Sequence, residues 1–200
     1  MEDRAPFLTG KFDFALQFAS TLHRRQWRKS TAFPYIGHLL SVCALVLEAG
    51  GDEDQAIAAL LHDAVEDQGG IPTLETIRRV FGNRVADAVE ACSDSTASNS
   101  AQKAPWRERK EKYLEHLRNS ATQDTLIVAA ADKLHNVQSI LLAYRGVGDQ
   151  VWESFKAPKA DQLWYYDSVL QILLQSPQSP KPLVAELQRS VEELKRFMMI

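Results

Sequence analysis

Apolar residues recur about every 3.6 positions along almost the whole chain, and period-two alternation is scarce. A chain patterned this way has helix faces to bury and few strand edges to pair, so it folds as helices packed on helices. Phe14, Phe18 and Leu22 stand four apart, and the spacing predicts a helix over 11–28. Pro34 stops the link after it. A second helix covers 35–49 and ends at Gly50-Gly51. Asp52 or Asp54 caps a third helix that runs through Asp67 to Gly69-Gly70. Thr73 caps a short fourth, with Gly82 past its end, and residues 83–92 form a fifth. The stretch 93–104, rich in Ser, Thr and Asn, reads as a loop. Pro105 suits the first turn of a helix to about Arg118. Thr122 or Asp124 caps a long apolar helix through Tyr144, with Gly146 and Gly148 beyond it. A linker with Pro158, a helix over about 161–174, a turn with Pro177, Pro180 and Pro182, and a last helix to Phe197 complete the pattern. The expectation is an all-α fold, one domain of about nine helices spanning 1–200.

Composition narrows the function classes. With 45% hydrophobic residues among 200, the chain can bury one sizeable core. A net charge of −3 disfavours a strongly basic nucleic-acid binder. No apolar run is long enough for a membrane-spanning helix, and the opening residues lack the apolar stretch of a secretory signal. Cys43 and Cys92 lack CxxC spacing and read as buried reduced thiols, which suits a cytoplasmic protein.

The chemistry concentrates in three segments. In LLHDAVED, His62 and Glu66 are four apart, as are Asp63 and Asp67, directly after the apolar run 57–61. Three carboxylates within a few residues of a core segment repel one another, and a divalent cation relieves this while using the imidazole. A solvated acidic helix end explains Glu66 and Asp67 but not a His-Asp pair placed straight after apolar residues. His38, early in the second helix, reads on its own as a core histidine. Asp132 changes that reading, because it ends the apolar run 127–131 where a carboxylate needs a partner, with Asn136 one turn on. Together His38, His62, Asp63 and Asp132 offer two nitrogens and two carboxylates, a set suited to Mn²⁺, Fe²⁺ or Zn²⁺ more than to Ca²⁺. Between Asp52 and Glu90 stand nine acidic and three basic residues. Two basic clusters, 23–29 with four Arg/Lys and 103–118 with six, can offset that charge toward an anionic ligand. Most of the second cluster reads as a solvated helix face, with Arg107 and Arg109 as the exceptions.

His38, the doublet His62-Asp63 and the distant Asp132 form the H…HD…D signature of the HD superfamily of metal-dependent phosphohydrolases. The segments HRRQWRK (23–29), PYIGH (34–38), LLHDAVED (60–67), FGNRVADAVEACSD (81–94) and AADKLHN (130–136) resemble the hydrolase domain of Rel/Spo-type (p)ppGpp enzymes, over roughly residues 10–170. The chain is similar to a stand-alone small alarmone hydrolase, a single HD-type helical bundle. The resemblance implies one divalent metal, usually Mn²⁺, on His38, His62, Asp63 and Asp132. It implies that Glu66 and Asp67 position or activate the attacking water, and that Arg28, Lys29 and Asn136 line the substrate pocket. Tyr165 or Tyr166 falls near a tyrosine placed by the ligand. The chain carries one extra residue between Lys29 and Pro34, and 93–104 lacks the usual threonine-lysine sequence; both lie where base or phosphate specificity is set.

The expected activity is hydrolysis of the 3′-pyrophosphate of a nucleotide, ppGpp or ppApp, with release of pyrophosphate. The expected partners are a small-molecule nucleotide and neither nucleic acid nor membrane, with a homo-oligomer left open. Two other classes stay open: an HD phosphohydrolase acting on nucleoside monophosphates or cyclic nucleotides, and a non-enzymatic helical module that binds an alarmone. Intact Arg28-Lys29 and Glu66-Asp67 argue against the first, and the four intact ligand candidates with the intact acidic pair argue against the second.

Overall fold

The computed structural model describes residues 7–28, 33–95 and 103–198. Its elements are α1 (Gly10–Leu22), α2 (Ile36–Glu48), α3 (Glu53–Leu61), the single turn α4 (Ala64–Asp67), α5 (Ile71–Phe81), α6 (Asn83–Cys92), α7 (Trp106–Asn119), α8 (Gln123–Val147), a 3₁₀ segment (Gly148–Ser154), α9 (Lys159–Gln175) and α10 (Lys181–Met198). The described residues form no named strand, so the all-α expectation holds.

Two helices make the centre. In α3, residues 55–61 are all buried, and in α8 residues 125–134 are. Helices apolar on every side need neighbours on every side. α1, α2, α6 and α8 pack on α3, and α2, α6, α9 and α10 pack on α8. Asp52 begins α3 with a full capping box: it accepts from Gln55 N at 3.0 Å, and the Gln55 side chain accepts from Asp52 N at 3.0 Å. Gly51 makes the tight entry possible, because a Cβ there would lie 2.5 Å from Val46 Cγ1 of α2. α1 joins α3 through Thr9, whose backbone N–H and hydroxyl both donate to Glu53. Outer helices follow the amphipathic rule. In α10, Leu187, Val191 and Leu194 line one stripe and are fully buried.

Boundaries differ from the sequence expectation in four informative places. α1 stops at Leu22 rather than near Arg28, because 26–28 pair their backbone with 33–35: Arg28 N–H donates to Phe33 O and Tyr35 N–H to Gln26 O, both at 2.9 Å. A helix cannot use those same groups. The third predicted helix, through Asp67, is broken at His62-Asp63 into α3 and α4. α5 begins at Ile71 after Gly70 (φ 65°), and Thr73 is not its cap; its hydroxyl donates to Gln68 O. α8 runs on through Gly146 and ends at Gly148 (φ 61°). The predicted boundaries of α6 are those observed.

Candidate active site

The break between α3 and α4 builds the centre of the site. Neighbours on a regular helix diverge by about 100°, which would send His62 and Asp63 to different faces. With Asp63 at φ −95°, ψ −2°, both side chains reach one point: His62 Nε2 lies 3.1 Å from Asp63 Oδ2. α2 brings His38 Nε2 to 3.5 Å from Asp63 Oδ2 and 3.2 Å from Asp132 Oδ1. α8 brings Asp132 Oδ1 to 3.5 Å from His62 Nε2. Of these, His38, His62 and Asp132 are buried and have ligand atoms within 4.8 Å of one another, a group that could hold a metal ion. Asp63 lies against it and is partly exposed.

Every member is held from behind. His62 Nδ1–H donates to Ala59 O at 2.8 Å, which fixes the tautomer and leaves Nε2 as the ligand-side nitrogen. Asn136 donates to Asp132 Oδ1 at 2.5 Å, and Lys133 donates to Oδ2. Tyr35 donates to Asp63 Oδ2 at 2.5 Å. His38 Nδ1 meets His135 Nδ1 at 2.8 Å. Lys133 is itself buried between the Tyr113 and Tyr165 rings, 5.2 and 5.6 Å from their centroids.

Burial alone would raise the Asp63 and Asp132 carboxyls. The charge on His62 beside Asp63, and Lys133 beside Asp132, outweigh it and hold both well below the usual carboxylate range. Burial would lower the His62 imidazole, but Asp63 and Asp132 raise it well above its ordinary value. Burial and the neighbouring His38 push His135 down to about 4, so it is neutral at physiological pH. Ionised carboxylates around two imidazoles in a buried place call for positive charge. A proton on His62 offsets part of it; a divalent cation offsets more and engages both imidazole lone pairs. His62 Nε2 is also buried without a well-aligned hydrogen-bond partner among the described residues. The donor set fits a divalent metal.

The other residues singled out in the sequence fall in several places. Arg28 joins the centre directly, since its Nη2 donates to Asn136 Oδ1 at 3.0 Å and its guanidinium lies 5.7 Å from the Tyr35 ring. Glu66 and Asp67 sit on α4, one turn past His62-Asp63. Asp67 accepts from Gln26 Nε2 at 2.7 Å, and Glu66 accepts from Lys103 Nζ at 3.2 Å with Arg109 Nη1 at 3.7 Å. Burial, then Asp94, raise the Glu66 carboxyl above its ordinary value, against Lys110 and Lys103. Tyr166 is buried on α9, where burial pushes its phenol up to about 12 against Lys133 and Arg28. Arg107 belongs elsewhere: it lies 3.3 Å from the Trp164 ring centroid and donates to Glu111 and Asp161, fastening α7 to α9. Lys29 lies outside the described residues, as do residues 96–102 of the predicted loop.

Sequence reasoning gave no role to Tyr35, Lys133, His135 or Asp94. All four sit inside quoted motifs, and Lys133 and His135 flank Asp132 closely enough that one turn of α8 carries them to its environment. Nothing in sequence spacing connects Asp94 to Glu66, 28 positions away.

A family model for the HD domain matches residues 15–158. The chain belongs to the HD domain family. Within it, the chain is 34% identical over 139 residues to the Drosophila melanogaster guanosine-3′,5′-bis(diphosphate) 3′-pyrophosphohydrolase MESH1, covering 68% of this chain and 73% of that one. It is 32% identical over 127 residues to the Escherichia coli bifunctional (p)ppGpp synthase/hydrolase SpoT, covering 61% of this chain but 17% of that protein. A solved structure described as a metazoan ortholog of SpoT that hydrolyzes ppGpp superposes with a TM-score of 0.70 at 25% identity, over 96% of this chain and 97% of that one.

Proposed function

We propose that the chain hydrolyses the 3′-pyrophosphate of an alarmone nucleotide, (p)ppGpp or (p)ppApp, as one HD-type hydrolase domain. The observation that carries this reading is a hydrogen-bonded chain, Arg28 to Asn136 to Asp132, which ties a cation for phosphate to the carboxylate of the metal-binding group. A generic HD centre needs no such link. The similarity to MESH1 over most of both chains supports the same substrate class.

His38, His62, Asp63 and Asp132 would hold one divalent ion, Mn²⁺ by the family resemblance. When bound, such an ion polarises a phosphoryl oxygen and lowers the pKa of a coordinated water. The remaining work falls to side chains. Asp67, oriented by Gln26, and Glu66, held by Lys103, are the carboxyls placed to orient a water and take its proton. Arg28, joined by Lys29, neutralises charge gathering on the phosphate oxygens. Asn136 is fixed at both ends, so it can place the ribose-phosphate. The water oxygen ends on the departing pyrophosphate, and the nucleotide keeps its 3′-OH with a proton. Among the described residues no helix is long and apolar enough to cross a membrane, and the two unpaired thiols suit the cytoplasm.

Chromatography of products tests the reading, with metal-loaded protein and ppGpp, ppApp, GTP, cAMP and dAMP as separate substrates. The expected result is pyrophosphate plus GDP from ppGpp, or ADP from ppApp. Cleavage of dAMP or cAMP alone would make this a different HD phosphohydrolase. Binding of ppGpp with no turnover would make it a binding module.

A further inference from the structure

Asp94 stands directly after α6, where the chain enters the 93–105 connection. Its side chain is only 2% exposed, unusual for an aspartate outside the metal-binding group. Arg109 Nη1 donates to Oδ1, and Lys110 Nζ donates to Oδ2 at 2.6 Å. The same Arg109 Nη1 lies 3.7 Å from Glu66 Oε1. Arg109 is further fixed by donating from Nε to Ala104 O at 3.1 Å, and Lys103 Nζ donates to the backbone oxygen of Glu66 at 3.0 Å. Glu66 is thus clamped to α7 and to both described ends of the 93–105 connection.

We propose that Asp94 is a positioning residue that holds the Glu66 carboxyl in place through a shared arginine, Arg109. It makes no contact with the metal-binding group. Its effect on the reaction passes through Glu66, so the inference rests on the hydrolytic role given to Glu66 above.

The direction of the electrostatic effect follows from the groups that face Glu66. Asp94 and Asp63 favour its protonated form, and Lys110 and Lys103 oppose them. Arg78 of the neighbouring α5 is committed to Asp87 and Glu90 of α6. Burial would raise the Asp94 carboxyl, but Lys110 and Arg109 hold it below its ordinary value, so it faces Glu66 as a negative charge. Removing the Asp94 charge leaves the two lysines and Arg109 acting on Glu66 unopposed from that side, and Glu66 then gives up its proton at lower pH.

The test compares wild type with Asp94→Asn and Lys110→Met. Each protein carries ¹³C-labelled glutamate and diamagnetic Zn²⁺, and the Glu66 carboxyl signal is assigned by its loss in Glu66→Gln. The expected result is a Glu66 midpoint lowered by about one pH unit in Asp94→Asn and raised in Lys110→Met. The acid limb of the ppGpp kcat profile should move the same way in each variant, with metal content unchanged. Lys110→Met keeps the test open if Asp94→Asn does not fold. A Glu66 midpoint unchanged from wild type in a folded variant overturns the proposal. The NMR titration needs no substrate. A protein that leaves ppGpp intact therefore overturns the alarmone reading, while the Glu66 midpoints still decide the role of Asp94.

Discussion

His38 and His135 meet through their Nδ1 atoms, 2.8 Å apart. Only one of those nitrogens can carry the hydrogen between them. His135 is neutral, so it can accept from His38 Nδ1–H, and that arrangement leaves His38 Nε2 bare on the side of His62 and Asp132. His135 thereby supports the candidate metal-binding group from behind, the place that partners of metal-ligating histidines generally take.

The first prediction follows from that contact. His135→Phe should weaken metal affinity by roughly 10–100-fold, and His135→Asn, which can still accept a hydrogen bond, by less. Isothermal titration of the stripped protein with Mn²⁺ measures both. His62→Ala or Asp63→Ala should lose the metal outright. Equal affinity in wild type and His135→Phe would remove His135 from the support of the site.

The residues that gather at the centre were legible as candidate ligands because their types sit oddly in the local pattern: a His-Asp pair after 57–61 and an aspartate after 127–131. Helical periodicity placed α6 correctly because it buries a regular stripe, and most of α8 because a long apolar run follows its cap at Thr122. It failed at Arg28, where long-range backbone pairing of 26–28 with 33–35 overrides local pattern. It failed again at His62-Asp63, where the demand that both side chains reach one point breaks a helix that propensity would continue. His135 and Lys133 were visible as letters of a motif, but their roles depend on α2 and α7 lying against α8. Arg107 and Arg109 look alike in sequence, and only packing sends one to Trp164 and the other to Asp94.

A second prediction separates metal binding from chemistry. Glu66→Gln and Asp67→Asn should keep the metal and the fold, since neither side chain belongs to the buried His38-His62-Asp132 group. Whichever carboxyl serves as the base should lose kcat by on the order of 10²-fold or more when replaced. Elemental analysis and steady-state kinetics on the same samples decide. Wild-type kcat in both single variants removes the pair from the mechanism.

A third concerns stability in acid. Arg84 of α6 donates twice to Asp124 at 2.8 Å and holds its carboxyl below the ordinary value. A carboxyl lowered in the folded state contributes stability that is complete above its unfolded value near 4 and is lost as pH falls through the folded one. Arg84→Met should therefore destabilise at pH 7 by on the order of 1 kcal/mol, a modest figure because about half of the arginine side chain faces water. The gap to wild type should shrink by pH 3. Urea melts at the two pH values measure it, and an equal gap at both would show that packing, not charge, carries the effect.

The last prediction bears on substrate class. Arg28 leaves the 26–35 pairing aimed at Asn136, and through it is tied to Asp132 without touching the metal-binding nitrogens. If Arg28 and Lys29 hold the transferred pyrophosphate, Arg28→Ala and Lys29→Ala should each lower kcat/KM while metal content stays at the wild-type level. A phosphate contact shielded from water is worth about 2–4 kcal/mol, roughly 30- to 1,000-fold, whereas a solvated surface charge is worth under about 1 kcal/mol. Arg28→Ala should cost more than Lys29→Ala, because it also frees Asn136 to turn away from the ribose-phosphate position. Measuring kcat/KM on ppGpp and ppApp at fixed Mn²⁺ and ionic strength distinguishes the roles: a drop on both assigns the residue to the phosphates, and a drop on one assigns it to the base. If neither variant moves either rate by more than about twofold, well below a buried phosphate contact, the Arg28–Asn136–Asp132 chain does not bind substrate and the alarmone reading loses the observation on which it stands.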